Sequence, residues 1–274
     1  MGHALHKTSS VPIAKLVTYR NDHPDELHVS PFSGTFFYAF NVIRAPFDDA
    51  RVRQAFSYAL DRDTLTREVS RGAELSASHF LPDGVSDYVS AVPGAQLNLV
   101  KTRQLMAEAG YPNGEGFPSV TLLYNTSENH RVMSEAVQQM WQQALGVDVR
   151  LENQEWKVYL DNMNLGNFDL CRAGYIVAPN DPSSFLKVMS TGHGFNISGW
   201  SDALFDSLLE QSLEELNPTN RSALFARMQQ RMIDEMPIAP VYHYTNKYLL
   251  RPEVRHWTDN MIAEFPLREA RLDP

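Results

Sequence analysis

Three side chains are placed where they could do chemistry. Arg172 follows an apolar run (Phe168, Leu170, Cys171) in a stretch that reads as a strand. A charged side chain otherwise has little reason to sit in a strand after an apolar run. His130 lies near the start of a helical pattern, where a solvated surface histidine would serve as well as a ligand contact. Cys171, the only cysteine, sits in the same apolar run and reads as a buried, inert thiol that rules out an intrachain disulfide. None of these belongs to a catalytic constellation. The chain has no G-x-S-x-G elbow, no H-E-x-x-H, no P-loop and no G-x-G-x-x-G. Its nine histidines contain no i, i+4 pair, and one cysteine cannot build a thiolate metal cluster. No cofactor, metal or enzyme activity is expected.

Composition narrows the partners. A formal net charge of −9 argues against a protein that tracks nucleic-acid phosphates or an anionic membrane surface. With 274 residues, 43% of them hydrophobic, the chain can build one large core or two modest ones. No apolar run approaches the ~18 residues that a membrane span needs. The opening residues Met1–Lys7 show neither an apolar signal core nor a cleavage site.

The elements that must position these residues read as follows. Residues up to about Phe40 look extended, with Leu27–Val29 and Phe36–Phe40 strand-like and Pro31 and Gly34 as punctuation. Asp48 or Asp49 caps a helix with Val52, Ala55, Phe56, Ala59 and Leu60 on one face. Asp63 begins a second short helix through Val69, and a Pro-, Gly- and Ser-rich stretch follows to Leu97. The next helix stops at Gly110, two residues before Pro112. Ser119–Tyr124, an amphipathic helix from about Glu128 to Gly146, and Val147–Leu151 form a βαβ unit with parallel strands. A short helix at Trp156–Met163, a strand at Leu170–Ile176, two helices after Ser201 and Thr219, and a strand at Ile238–Leu249 complete the pattern before an irregular tail.

Five stretches, taken together and in order, resemble the periplasmic oligopeptide-binding proteins of the OppA type. They are Ala45-Pro46-Phe47-Asp48-Asp49-Ala50-Arg51-Val52-Arg53-Gln54-Ala55 with Ala59-Leu60-Asp61-Arg62; Leu105–Tyr111; Leu122–Ser127; Gln154-Glu155-Trp156 with Phe168–Gly174; and Pro240–Tyr244. Members of that family are about twice this long and close two α/β lobes over a ligand. The resemblance implies an α/β fold with a mixed sheet flanked by helices: residues 41–232 as the C-terminal lobe, and 1–40 and 233–274 as segments belonging to the first lobe. It implies the solute-binding component of an ABC importer, a periplasmic location, and as partners an oligopeptide and a membrane permease. The alternatives are a protein-interaction or assembly module, self-associating through first-lobe strands left bare, or the binder of a non-peptide ligand.

The resemblance also implies a site. The ligand lies as an added strand along Arg172-Ala173-Gly174-Tyr175-Ile176, with Gly174 permitting close approach; an ordinary buried strand with an incidental glycine is the alternative. Arg172 and His130 match positions that meet the peptide carboxylate. Asn125, Trp156, Tyr175 and Tyr244 match pocket-lining positions, although Trp156 and Tyr244 suit core packing too. Ala178 stands where peptide-binding members place an aspartate for the ligand amine, and Asp181 reads as a helix cap rather than a substitute. Ala39 and Phe37 replace a carboxylate and a tyrosine of some members, and Met163 and Ser70 replace basic positions. The expected site is therefore less charged than the family pattern, and a single lobe is expected to bind peptides weakly.

Overall fold

The computed structural model describes residue 8 and residues 11–177, 181–263 and 270–272. Ala178 lies outside the described residues. The elements run α1 (Ile13–Asp22), β1 (Leu27–Phe40), α2 (Ala50–Tyr58), α3 (Arg62–Thr64, continued by a wider π-type turn through Leu65–Val69), β2 (Leu75–Ser76), α4 (Leu99–Glu108), β3 (Val120–Asn125), α5 (Glu128–Leu145), β4 (Val149–Gln154), α6 (Trp156–Asn164), β5 (Leu170–Ile176), α7 (Pro182–Leu186), α8 (Ala203–Glu214), α9 (Pro218–Glu235) and β6 (Ile238–Leu249). A two-stranded ribbon, β7 (Val254–Arg255) with β8 (Arg271–Leu272), follows.

Strands β1 to β6 form one mixed sheet in the order β2-β6-β1-β5-β3-β4. β3 is parallel to β4 and β5, as a βαβ unit requires; the other pairings are antiparallel. α5 supplies the crossover. Met133, Val137, Trp141 and Leu145 are its buried stripe, and it ends on Gly146, whose positive φ of 73° a residue with a side chain would adopt reluctantly.

β1 is the centre of the molecule. Every residue from Ser33 to Phe40 is buried, and successive side chains feed opposite cores. Phe36, Tyr38 and Phe40 join α2, α4 and α5 in the larger core, where Trp141 is fully buried and its indole N–H donates to the Phe56 carbonyl at 2.9 Å. Phe37 and Ala39 join α7, α8 and α9 in a second core.

The most recognisable sequence run turns out to staple the frame. Arg53 is buried and donates to the carbonyls of Phe47 (2.8 Å), Met236 (3.2 Å) and Glu235, tying the start of α2 to the end of α9. Arg62, also buried, donates to the carbonyls of Pro240 (2.7 Å) and Ala95 (2.7 Å) and to Ser57 Oγ (2.8 Å). Burial pushes both guanidinium groups down to about 10, still charged at neutral pH. Buried carbonyls of loops and element ends need donors, and one arginine serves several at once.

The structure differs from the sequence reading in four places. Residues 13–22 are helical, not extended; Leu16 is fully buried against Val11 and Ala73. β1 runs unbroken through Pro31 and Gly34, with its register against β6 shifting between Pro31 and Thr35. The second short helix begins one residue earlier, capped by Asp61 rather than Asp63. The flanking strands are not bare: β1 and β6 pair from Leu27↔Leu249 to Ala39↔Ile238, and Thr8 and Val11 donate to β6 carbonyls at its outer edge. From Gly34 to Phe40, β1 lies between β6 and β5 inside the lobe's sheet, so the apolar edges invoked for self-association are largely occupied.

Candidate functional site

β5 offers an open edge. Val177 N–H bonds the Ser33 carbonyl (3.1 Å) and Asn41 N–H bonds the Asp169 carbonyl (3.0 Å), so odd-numbered residues of this segment aim their main-chain groups at β1. By the alternation of an antiparallel ladder, Arg172, Gly174 and Ile176 aim theirs the other way. On that side β3 pairs with β5 only at Leu170 and Cys171. Among the described residues no strand pairs with the outer edge from Arg172 to Ile176. Only the first carbonyl of this edge is visibly used: the Tyr159 hydroxyl donates to Arg172 O.

Arg172 is half-buried on the face of β5 that looks toward Tyr244. Its Nη1 donates to Asn125 Oδ1 at 3.2 Å, its Nη2 stands 3.5 Å from Tyr244 Oη, and its guanidinium lies over the Phe36 ring at 5.0 Å. Its Nε is buried without a hydrogen-bond partner. Among the described residues it forms no ion pair with a carboxylate, whereas Arg53 and Arg221 each have one and Arg231 has two. His130 is close by, in the first turn of α5. Burial, then the charge of Arg172, push its imidazole down to about 4 against the opposing effect of a hydrogen bond that the ring donates to the Asn125 main-chain carbonyl. It is thus neutral at pH 7 and able to donate an N–H without adding charge.

Two cavities flank this edge. One, of about 320 Å³, is lined by Arg172, His130, Tyr242, Tyr244, Ser70 and the Glu74–Lys247 pair, whose charged atoms are 2.7 Å apart. The other, of about 210 Å³, is walled by Trp156, Tyr159, Leu160, Met163, Tyr175 and Phe195. The sequence-derived residues divide between them. His130, Arg172 and Tyr244 line the first, and Asn125 joins them only through its hydrogen bond with Arg172. Trp156 and Tyr175 line the second, with Gly174 on the strand between them. Ile176 is 53% exposed and lines neither cavity. Trp156 is 52% exposed and stacked on Tyr159, so it is not a core residue.

Gly174 has a reason to be glycine that the sequence did not disclose. A Cβ there would fall under 3.0 Å from the Tyr244 hydroxyl, closer than real Cβ atoms come. Tyr244 therefore lies across the strand and reaches Arg172. Asp181 is the helix cap expected, accepting from Ser183 N–H at 2.8 Å and pairing with Arg221. Phe37 and Met163 line the apolar cavity and Ser70 the polar one; Ala39 is fully buried in the core. Tyr159, Tyr242, Phe195 and the Glu74–Lys247 pair escaped the sequence reading. Tyr159 was within reach, being three residues after Trp156 on one helical face; the others come together only through the fold.

An α/β lobe thus presents an open strand edge beside an arginine without a carboxylate partner among the described residues. The family model described as bacterial extracellular solute-binding proteins, family 5 Middle, matches residues 5–196, and the chain belongs to this family. It is 37% identical over 260 residues to the periplasmic murein peptide-binding protein MppA of Escherichia coli, covering 92% of this chain and 48% of that protein. It is 35% identical to the periplasmic oligopeptide-binding protein OppA of Salmonella typhimurium, covering 91% and 47%. The solved unliganded open form of MppA superposes with a TM-score of 0.91 at 36% identity, over 98% of this chain and 53% of that one. The relatives are solute-binding proteins, and this chain spans about half their length.

Proposed function

We propose that this chain is the ligand-binding C-terminal lobe of a peptide-binding protein serving an ABC importer, acting in the periplasm and without catalysis. The observation that carries the reading is Arg172: a half-buried guanidinium with no carboxylate partner among the described residues, at the head of an unpaired strand edge. A peptide's terminal carboxylate supplies the missing anion, with Asn125 and neutral His130 beside it. Its main chain adds to the outward N–H and C=O groups of Gly174 and Ile176, which gives affinity without reading sequence. Residues 41–232, with the inner parts of β1 (Gly34–Phe40) and β6 (Ile238–His243) that share their sheet, form the lobe, and the outer parts of β1 and β6 lead toward a first lobe. In support, β1 and β6 run on together past β5, as the ribbon Leu27–Pro31 with Thr245–Leu249. A second lobe would bury the ligand's far side; one lobe alone leaves it solvated. A permease as membrane partner belongs to the same reading, and no helix among the described residues is long and apolar enough to cross a membrane.

The test is a nuclear magnetic resonance titration of this chain with trialanine and with trialanine amide. The acid should bind more weakly than micromolar and shift the amides of Gly174 and Ile176, and the amide should bind at least about tenfold more weakly still. Equal affinity for the two, sub-micromolar binding of the acid, or no binding at millimolar peptide would overturn the reading.

A further inference from the structure

The two faces of the open edge differ in chemistry, and this difference predicts which peptides fit. Resting on the strand-addition function above, we propose that the site selects ligands with an apolar side chain at the position facing Trp156, and discriminates against charged side chains there. Side chains of paired strand residues share a face, and neighbours along a strand alternate. Gly174 belongs to the Tyr244 face, because a Cβ on it would meet that hydroxyl. A ligand residue opposite Gly174 therefore points toward Tyr244 and the polar cavity. The residues on either side of it point the other way, toward the face of Ala173 and Tyr175.

The cavity on that second face measures about 210 Å³. That is below the roughly 300 Å³ at which pockets begin to hold whole ligands, so it takes one side chain. Its walls are aromatic and aliphatic. Trp156 stacks on Tyr159 with ring centroids 5.6 Å apart, and Tyr175 meets Phe195 edge-on at 5.6 Å. Met163 adds a flexible apolar side chain to them. The one charged residue among the lining is Arg172, and its guanidinium is turned to the other face, against Phe36, Asn125 and Tyr244. The Tyr159 hydroxyl is occupied by the Arg172 carbonyl. Lys157 and Asp161, on the same helix, are exposed and do not line the cavity. An ammonium or carboxylate entering here loses water and gains no counter-charge, which is costly. An apolar side chain loses nothing and covers the exposed half of Trp156.

The experiment uses a panel of free-acid tripeptides in which each position of trialanine in turn is Leu, Lys or Glu. Binding is followed by the Trp156 indole N–H resonance. At one position, Leu should bind about tenfold or more tightly than Lys or Glu and move that resonance most. The variant Met163→Glu should remove the discrimination against Lys at that position only. Equal affinities for Leu, Lys and Glu at every position, with amidation still weakening binding, would overturn the selectivity and leave the carboxylate reading standing. Insensitivity to amidation would overturn the carboxylate reading instead, and absence of all binding would overturn both.

Discussion

Lowering the pH from 7 to 5 should destabilise the fold by about 2 kcal/mol through His243 alone. His243 sits on β6 opposite Thr35 of β1. The Thr35 hydroxyl donates to the Phe80 carbonyl at 2.7 Å, so its oxygen must accept from His243 Nδ1, 2.8 Å away. That fixes the proton on Nδ1 and leaves Nε2 as a bare lone pair, buried and without a hydrogen-bond partner. A second proton would be placed there, in a dry space facing the His79 ring at 5.4 Å, with Asp83 beyond it, 3.6 Å from His79 Nε2. Burial first, and the neighbouring His79 second, push the imidazole of His243 down to about 3. The unfolded chain protonates it near 6.5, so below that pH the unfolded state binds the extra proton and stability falls with pH. Each unit costs about 1.4 kcal/mol, and the 1.5 units between 6.5 and 5 give about 2 kcal/mol. His243→Asn keeps a donor for Thr35 and removes the titration. Urea unfolding of both proteins at the two pH values isolates the effect: the wild type should lose about 2 kcal/mol more than the variant on acidification. Equal losses would refute the tautomer and burial argument.

Two further outcomes follow from the frame and the edge. Arg62→Met should lower stability by about 2–4 kcal/mol, read as a fall in the urea midpoint, because the Pro240 and Ala95 carbonyls are left buried without donors; the relief of burying a charge offsets only part of this. Gly174→Ala should destabilise by about 1–3 kcal/mol and weaken trialanine binding in the same titration, because the new methyl displaces Tyr244 from Arg172; unchanged stability and affinity would count against the packing described.

The sequence carried the elements with strong periodicity or caps. The stripe Met133, Val137, Trp141, Leu145 ending at Gly146, and the bounds of β5 and β6, were all legible. Residues 13–22 were not: Val17, Thr18 and Tyr19 favour strands, and what makes them helical is the burial of Leu16 under Val11 and Ala73, a tertiary contact. The convergence of Arg172, Asn125 and His130 could be expected only through family resemblance, since they come from β5, β3 and α5 with no common spacing. The resemblance did not reveal why Gly174 is glycine. That required Tyr244, seventy residues along the chain and two strands away across the sheet, to be seen lying over it.

The central claim is that Arg172 receives the carboxylate of a peptide added to the β5 edge. It is tested most directly by measuring the affinity ratio of trialanine to its amide in the wild type and in Arg172→Gln. The ratio should be roughly ten or more in the wild type and collapse toward one in the variant, because only the charge-assisted bond distinguishes the two ligands. A ratio that is the same in both proteins would contradict it.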